Sequence, residues 1–311
     1  MDWNQKPYYS LDFYLKQTYG EKIYRLALNG GMNCPNRDGM VGTGGCIFCS
    51  AGGSGDFAAS HLLSITEQIE QEKKKIQKKR HCNHYIAYFQ AYTNTYAPVE
   101  TLRLLFTEAI SHPDIVILSI ATRPDCLGKP VLDLLEELNQ IKPVWIELGL
   151  QTMHNKTADF IHRGYPLFVY EDAVMQLKKR HLTVITHIIL GLPYETNADM
   201  LSTISYLNQI GCDGIKLQLL HILRGTQLAE LYQKQLFSVL TQEEYLSILI
   251  QCIEQLSPDI VIHRVTGDGP KDLLLAPLWS QNKRGVLNSL HREMKLRGAY
   301  QGRSLLCQQK Y

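Results

Sequence analysis

Cys34, Cys46 and Cys49 form a Cys-x11-Cys-x2-Cys pattern inside the segment NGGMNCPNRDGMVGTGGCIFCSAGG. Three thiolates can hold three irons of a [4Fe-4S] cube and leave the fourth iron open. An open iron lets a cluster bind a substrate or cofactor instead of only relaying electrons. The glycines suit a loop that wraps closely round a bulky anionic cluster and turns backbone N–H groups toward its sulfurs. Phe48, inside the CxxC pair, offers an apolar wall against water. A competing reading is a structural zinc site, which needs four ligands; Cys82 and His84 are the candidates to complete it. A third reading, three unrelated buried thiols, leaves the glycines without a packing purpose.

The elements that must position these residues follow from the hydrophobic pattern. Short, continuous apolar runs read as strands buried on both faces: IYRLALNG (residues 23–30), YIAYFQA (85–91), IVILSIAT (115–122), VWIELGLQ (144–151), TVITHIILG (183–191) and GIKLQLLH (214–221). Helical patterns lie between them at residues 65–79, 99–111, 130–140, 168–179 and 197–209, with Pro98 before one and Gly211 after another. A βα unit repeating at roughly 30 residues means an α/β fold, either a barrel or an open doubly wound sheet. Periodicity does not choose between them. Beyond residue 221 the chain reads as helices at 227–236 and 242–256, a strand at 260–266 and a basic tail. The expected division is a partial barrel over residues 1–225 and an extension with the tail over 226–311.

The chain has 311 residues, 45% of them hydrophobic, enough for one large core. No apolar run approaches the ~18 to 20 residues of a membrane span, and the N-terminus lacks a signal layout, so the expectation is a cytoplasmic protein with no membrane partner. Of eight cysteines, five stand singly, which is no disulfide framework and no second cluster motif. The formal net charge is only +2, yet the basic residues Lys283, Arg284, Arg292, Lys295, Arg297 and Arg303 crowd the tail, with Glu293 the one acid from residue 280 onward. Such a patch is the footprint of phosphate-backbone contact or, equally, a solvated helix face. The lysines at 73–75 follow Glu67, Glu70 and Glu72, as on an exposed helix with acid at its start and base at its end, which suits the helix dipole.

The run YRLALNGGMNCPNRDGMVGTGGCIFC (residues 24–49) resembles the radical S-adenosylmethionine (SAM) enzymes of the YhcC/YtqA type, relatives of the radical-SAM part of the Elongator catalytic subunit. The usual spacing in radical-SAM enzymes is Cys-x3-Cys-x2-Cys; the long first gap here is characteristic of the YhcC/YtqA branch. The resemblance extends over nearly the whole chain. It implies an α/β fold, a partial six-stranded (β/α) radical-SAM barrel with a C-terminal α/β extension. It also implies a [4Fe-4S] cluster and SAM as cofactors, and an electron donor such as flavodoxin or ferredoxin.

In a βα barrel the chemistry sits at the C-terminal strand ends. The second strand ends in FQAYTNTYAP, where Gln90, Thr93 and Asn94 offer acceptors for the SAM amino group; the acid of the usual Gly-Gly-Glu-like motif is missing. The third ends in ATRPD, placing Arg123 at the mouth. Glu147 lies inside the fourth run, and a buried carboxylate needs a partner. Gln151 and Arg163 resemble positions that hold the SAM ribose and carboxylate in relatives, and arginine is a natural carboxylate clamp. His187, on the fifth strand, is either a cofactor neighbour or a satisfied core group. Gly191 permits close backbone approach, and the sixth strand about Leu220 resembles the Elongator-type edge for adenine. Arg264 and Asp268, in HRVTGDGPKD, are candidates to close over a substrate.

The resemblance points to transfer RNA, with conversion of 5-carboxymethylaminomethyluridine at the wobble position to 5-aminomethyluridine. Hydrogen abstraction from the glycine-like methylene, followed by oxidation to an imine and hydrolysis, is a chemically sensible route. One of Arg123, Arg163 or Arg264 would then clamp the departing carboxylate. Alternatives are a small-molecule radical-SAM enzyme, such as one acting on a tetrapyrrole side chain, and a non-enzymatic metal-binding RNA module. Oligomeric state is not readable from the sequence.

Overall fold

A computed structural model of the chain describes residues 3–78, 82–267 and 269–308. In chain order the elements are α1 (Leu11–Tyr19), β1 (Tyr24–Leu28), α2 (Ile65–Gln77), β2 (Tyr85–Phe89), α3 (Val99–Ser111), β3 (Ile115–Thr122), α4 (Lys129–Asn139), β4 (Val144–Gln151), α5 (Asn155–Phe160), α6 (Leu167–Lys179) and β5 (Thr183–Leu190). There follow α7 (Asn197–Ile210), β6 (Gly214–Leu219), β7 (Ile222–Leu223), α8 (Gln227–Gln233), α9 (Gln242–Gln255), β8 (Val261–Arg264), β9 (Leu274–Ala276), α10 (Lys283–Arg297) and α11 (Arg303–Gln308).

The main sheet has seven strands in the order β1-β2-β3-β4-β5-β6-β8, with parallel pairing of β1 to β2, β2 to β3, β3 to β4 and β6 to β8. A doubly wound sheet reverses its strand order at a switch point. This one never reverses, so the topology is that of a (β/α) barrel left unclosed. The strand expected at 260–266 is β8, and it joins the main sheet beside β6 as a seventh strand. Its apolar core, Val261 and Ile262, is buried, and that burial is what the edge of β6 provides. A separate two-stranded antiparallel sheet pairs β7 with β9.

The chain forms two compact units. One comprises residues 15–149 and 164–185; the other comprises 1–14, 150–163 and 186–311. In the first, all five residues of β2 are buried, as are Leu26 and Leu28 of β1. This explains why these strands read as unbroken apolar runs. Helix starts are encoded locally: Ser64 with Glu67 forms a capping box before α2, as do Thr196 with Asp199 before α7 and Thr241 with Glu244 before α9. Gly211 and Gly298 end α7 and α10 in the left-handed region. Helix α2 is not the simple exposed helix its charges suggest. Lys73 is buried, pairing with Glu70 at 2.6 Å and Asp114 at 2.5 Å.

Inside the first unit the carboxylate of Glu147, 1% exposed, accepts from Ser119 Oγ at 2.8 Å and pairs with Arg25 Nη1 at 3.0 Å. The Arg25 guanidinium also lies 5.1 Å from the centre of the Tyr88 ring. Four neighbouring strands are thus tied by one buried charge pair. Removing one partner leaves the other a buried charge short of its counter-ion. Arg25→Met is therefore expected to lower unfolding stability by about 3–5 kcal/mol in urea titration. Adding Glu147→Leu to it should recover a large part of that loss.

Candidate functional site

The cluster loop begins where β1 ends. Gln68, on α2 and fully buried, accepts from the Asn29 N–H at 2.8 Å and donates to the carbonyls of Asn29 and Leu63, both at 3.0 Å. The helix after the loop thereby grips its first residue. Within the loop, backbone hydrogen bonds from Arg37 N to Cys34 O (2.8 Å), Gly45 N to Asn36 O (2.7 Å) and Cys49 N to Cys46 O (2.9 Å) fold the three cysteine positions into one compact turn system. Gly45 has φ +85°, and a Cβ there would stand 2.9 Å from Arg37 Nε. Glycine is required at that point by conformation and space alike.

All three cysteines are free and half-buried. Asn36, itself buried, donates from Nδ2 to Cys46 Sγ at 3.5 Å. The thiol of Cys49 is lowered to about 7, first by its hydrogen bond with Cys46 and then by the positive field of Arg37, while Cys46 is raised as the protonated partner of that pair. Arg37 is held over the Tyr92 ring at 5.5 Å and donates to the Ser50 carbonyl at 2.6 Å. These are the features of a thiolate site: cations and an amide donor placed round sulfur. Neither Asn36 nor Arg37 was singled out from sequence. The available signal was two hydrogen-bonding side chains directly after the Cys-Pro pair in a glycine-rich loop.

Cys82 and His84 do not complete a zinc site. They precede β2, whose first residue Tyr85 pairs with Tyr24 of β1, whereas the cysteine loop leaves from the other end, where Leu28 pairs with Phe89. Four residue steps along a parallel strand separate these ends by about 13 Å. Cys126 also neighbours the loop, and burial, reinforced by Asp125, pushes its thiol up to about 12. It lines an apolar cavity of about 640 Å3 with Pro35, Val41, Tyr96 and Val131. The donor set therefore fits a cluster bound by three sulfurs.

The end of β2 lies against this loop. The Thr93 N–H donates to the Asn33 carbonyl at 3.2 Å, and the Gln90 amide donates to the Ser54 carbonyl at 2.8 Å. Asn94 is fully buried. Its Nδ2 donates to the carbonyls of Phe89 (3.1 Å) and Ala121 (2.8 Å), leaving Oδ1 buried without a hydrogen-bond partner. A buried orphan acceptor is costly unless a ligand donor meets it. It fits an ammonium group such as the amino group of SAM.

After β3, Arg123 is buried and forms a two-pronged pair with Asp125, Nε to Oδ1 at 2.9 Å and Nη2 to Oδ2 at 2.7 Å, with its guanidinium 5.0 Å from the Tyr165 ring centre. Its fork is engaged by Asp125, and its charge is felt at Cys34 and Cys46. A Cβ on Gly164 would meet Val41 Cγ1 at 2.8 Å, Asn36 Oδ1 at 3.2 Å and Arg123 Nη2 at 3.4 Å, so this glycine lets the chain after β4 pack on the cluster loop. Glu147 is held by Arg25 and Ser119, as described above.

The second unit carries the remaining sequence candidates. Gln151, at the end of β4, has φ +66° and a buried Oε1 without a hydrogen-bond partner. Arg163 is 1% exposed and donates from Nη1 to the carbonyls of Leu150 (2.8 Å) and Thr152 (2.7 Å), bracing the turn after that strand. His187 is half-buried between buried Thr186 and Ile188. Gly191, φ +85°, lies against Leu240, 2.9 Å from where a Cβ would stand. The Leu220 N–H donates to Leu190 O at 3.0 Å. Arg264 ends β8 opposite Lys216 of β6. Asp268 lies outside the described residues. Lys283, Arg284, Arg292, Lys295 and Arg297 are exposed on α10, whereas Arg303 is engaged by Glu254 at 3.1 Å and the Arg297 carbonyl at 2.9 Å.

The donor geometry yields a direct expectation. After anaerobic reconstitution, Cys34→Ala, Cys46→Ala and Cys49→Ala should each fail to retain the four-iron cluster, and Cys82→Ala should retain it. Iron and sulfide analysis with the visible absorption spectrum decides this.

Comparison with known proteins agrees with this loop. Residues 34–207 match the Radical SAM superfamily, beginning at Cys34, and residues 212–296 match the Radical_SAM C-terminal domain. YtqA of Bacillus subtilis is 44% identical over 96% of this chain and 93% of its own length. The tRNA uridine(34) acetyltransferase of Methanocaldococcus jannaschii is 25% identical over 54% of this chain and 31% of that protein. The structure of Methanocaldococcus infernus Elp3 shares the fold with TM-score 0.70 at 15% identity, covering 90% of this chain and 64% of that longer one. No helix among the described residues is long and apolar enough to cross a membrane. With the cysteine loop at its head and both family segments following in order, the chain belongs to the radical SAM superfamily, in its YhcC/YtqA branch, and is an enzyme that uses a [4Fe-4S] cluster and SAM.

Proposed function

We propose that this enzyme acts on transfer RNA, at the side chain on C5 of the wobble uridine, converting 5-carboxymethylaminomethyluridine to 5-aminomethyluridine. The observation that carries the RNA reading is the dense exposed positive charge of α10. Val286, Leu290 and Met294 bury one face, Arg284, Arg292 and Lys295 stand exposed on the far side, and Lys283 and Arg297 are exposed at the two ends of the helix. Glu293 approaches Arg292 at 3.5 Å and Arg297 at 3.6 Å. Exposed pairs of that kind are worth little and leave the cations available to phosphate. Likeness to a protein named for tRNA uridine(34) supports the choice of RNA and of position.

When bound, the cluster and SAM supply a 5′-deoxyadenosyl radical after one-electron reduction, the reagent for taking hydrogen from an unactivated C–H bond. The chain's own residues then have assigned tasks. Cys34, Cys46 and Cys49 hold the cluster, with Asn36 and Arg37 steadying sulfur charge. Asn94 Oδ1 is the acceptor for the amino group of SAM. Residues 1–225 carry the chemistry and 226–311 carry the phosphate contacts of the RNA. An external one-electron carrier of the flavodoxin or ferredoxin kind provides reduction.

The test is nucleoside analysis of transfer RNA from cells with and without the gene. Loss of 5-aminomethyluridine derivatives with accumulation of the carboxymethylaminomethyl form is expected. No change in any wobble nucleoside rejects the substrate and favours a small-molecule reaction. Separately, neutralising Arg292, Lys295 and Arg297 together should weaken transfer-RNA binding and reduce the slope of log K against log salt by about two to three. SAM cleavage without RNA should persist in that variant.

A further inference from the structure

Two tyrosines beyond strand ends hold left-handed backbone conformations, Tyr92 after β2 at φ +59° and Tyr194 after β5 at φ +69°. A bulky residue there carries a steric penalty that glycine avoids, and such outliers persist where the surroundings fix them or function uses them. Tyr92 has its reasons within the fold. Its hydroxyl donates to the Ala51 carbonyl at 2.6 Å, Arg37 covers its ring, and the ring fills the space where a Cβ on Gly53 would stand 2.3 Å away. Tyr194 differs. Its ring touches Phe160 edge-on, with centroids 5.1 Å apart and planes at 77°, and the residue is 68% exposed.

The turn that carries Tyr194 is fastened on both sides. Leu192 is 2% exposed, and Glu195 N donates to the Leu192 carbonyl at 3.2 Å. Thr152 Oγ1 donates to Glu195 Oε1 at 2.5 Å. Thr196 and Asp199 then close the capping box of α7. A rigid turn thus presents an aromatic face outward, with Phe160 fixing its tilt.

We infer that Tyr194 is a stacking platform for an unpaired nucleobase of the RNA substrate. This rests on the RNA reading above and adds a recognition residue to it. Unpaired bases are commonly recognised by stacking on exposed aromatic rings. A phosphate does not suit the place, because Glu195 and Asp199 flank it with negative charge and the capping box takes up the amides of Thr196 and Asp199. A protein hot spot needs a desolvated surround, which a single exposed ring does not provide. A neutral, flat base face meets both constraints.

The test uses the full-length reconstituted enzyme and an unmodified transfer-RNA transcript. Tyr194→Gly should weaken RNA binding roughly five- to a hundredfold. It should leave the salt slope of binding unchanged, since no charge contact is lost, and SAM cleavage without RNA should continue at the wild-type rate. The thermal midpoint should hold or rise, because glycine relieves the left-handed strain. Tyr194→Phe should bind like the wild type. Wild-type RNA affinity in Tyr194→Gly overturns the platform while leaving the substrate reading intact. A fall in thermal midpoint accompanying lost binding makes the ring a packing element and overturns it too. Weakened SAM binding with normal RNA binding assigns the ring to the SAM adenine instead. A wild-type enzyme that binds no transfer RNA defeats the substrate reading and this inference together.

Discussion

Parallel pairing is the constraint from which the cluster site follows. In β1 to β4 every strand points the same way, so every chain segment leaving a strand emerges at the same edge of the sheet. The cysteine loop, the Gln90–Asn94 turn and the Arg123–Asp125 turn meet there because register leaves them no alternative. The same constraint puts Cys82 and His84 at the opposite edge, which removes the zinc reading. The buried Arg25–Glu147–Ser119 group ties β1, β3 and β4 in that register, with Tyr88 of β2 packed against the guanidinium.

At that edge the loop solves an electrostatic problem. Three thiolates in one turn repel one another and lose water as they are enclosed. The chain offsets this with Arg37 beside Cys49, Arg123 near Cys34 and Cys46, and the Asn36 amide on Cys46. Glycine at positions 45 and 164 brings backbone and cation close to the loop. Such surroundings also influence the reduction potential of a bound cluster, since hydrogen bonds and charges near sulfur are the protein's main means of adjusting it.

The sequence made the strands and most helices readable because each is a continuous apolar run or carries its own capping signal. Strand order was not readable: periodicity reports burial, not neighbours, and β8 joining β6 is a long-range pairing. α1 and α5 escaped because they are short and lack strong caps. In the site, the cysteines announced themselves by spacing, whereas Asn36, Arg37 and Gln68 did so only through contacts the fold creates. Arg123 was a candidate by its place at a strand end; its two-pronged pairing with Asp125, two residues on, is a contact the fold shows. Tyr194 was invisible as an outlier, since backbone angle is not written in residue type.

A cluster held by three cysteine sulfurs has one iron open to SAM. Electron paramagnetic resonance of the reduced, reconstituted enzyme, recorded with and without SAM, tests it most directly. A single [4Fe-4S] signal whose shape and g-values change on adding SAM is the predicted result. A cluster signal indifferent to saturating SAM, or a protein that takes up zinc in place of iron, would contradict it.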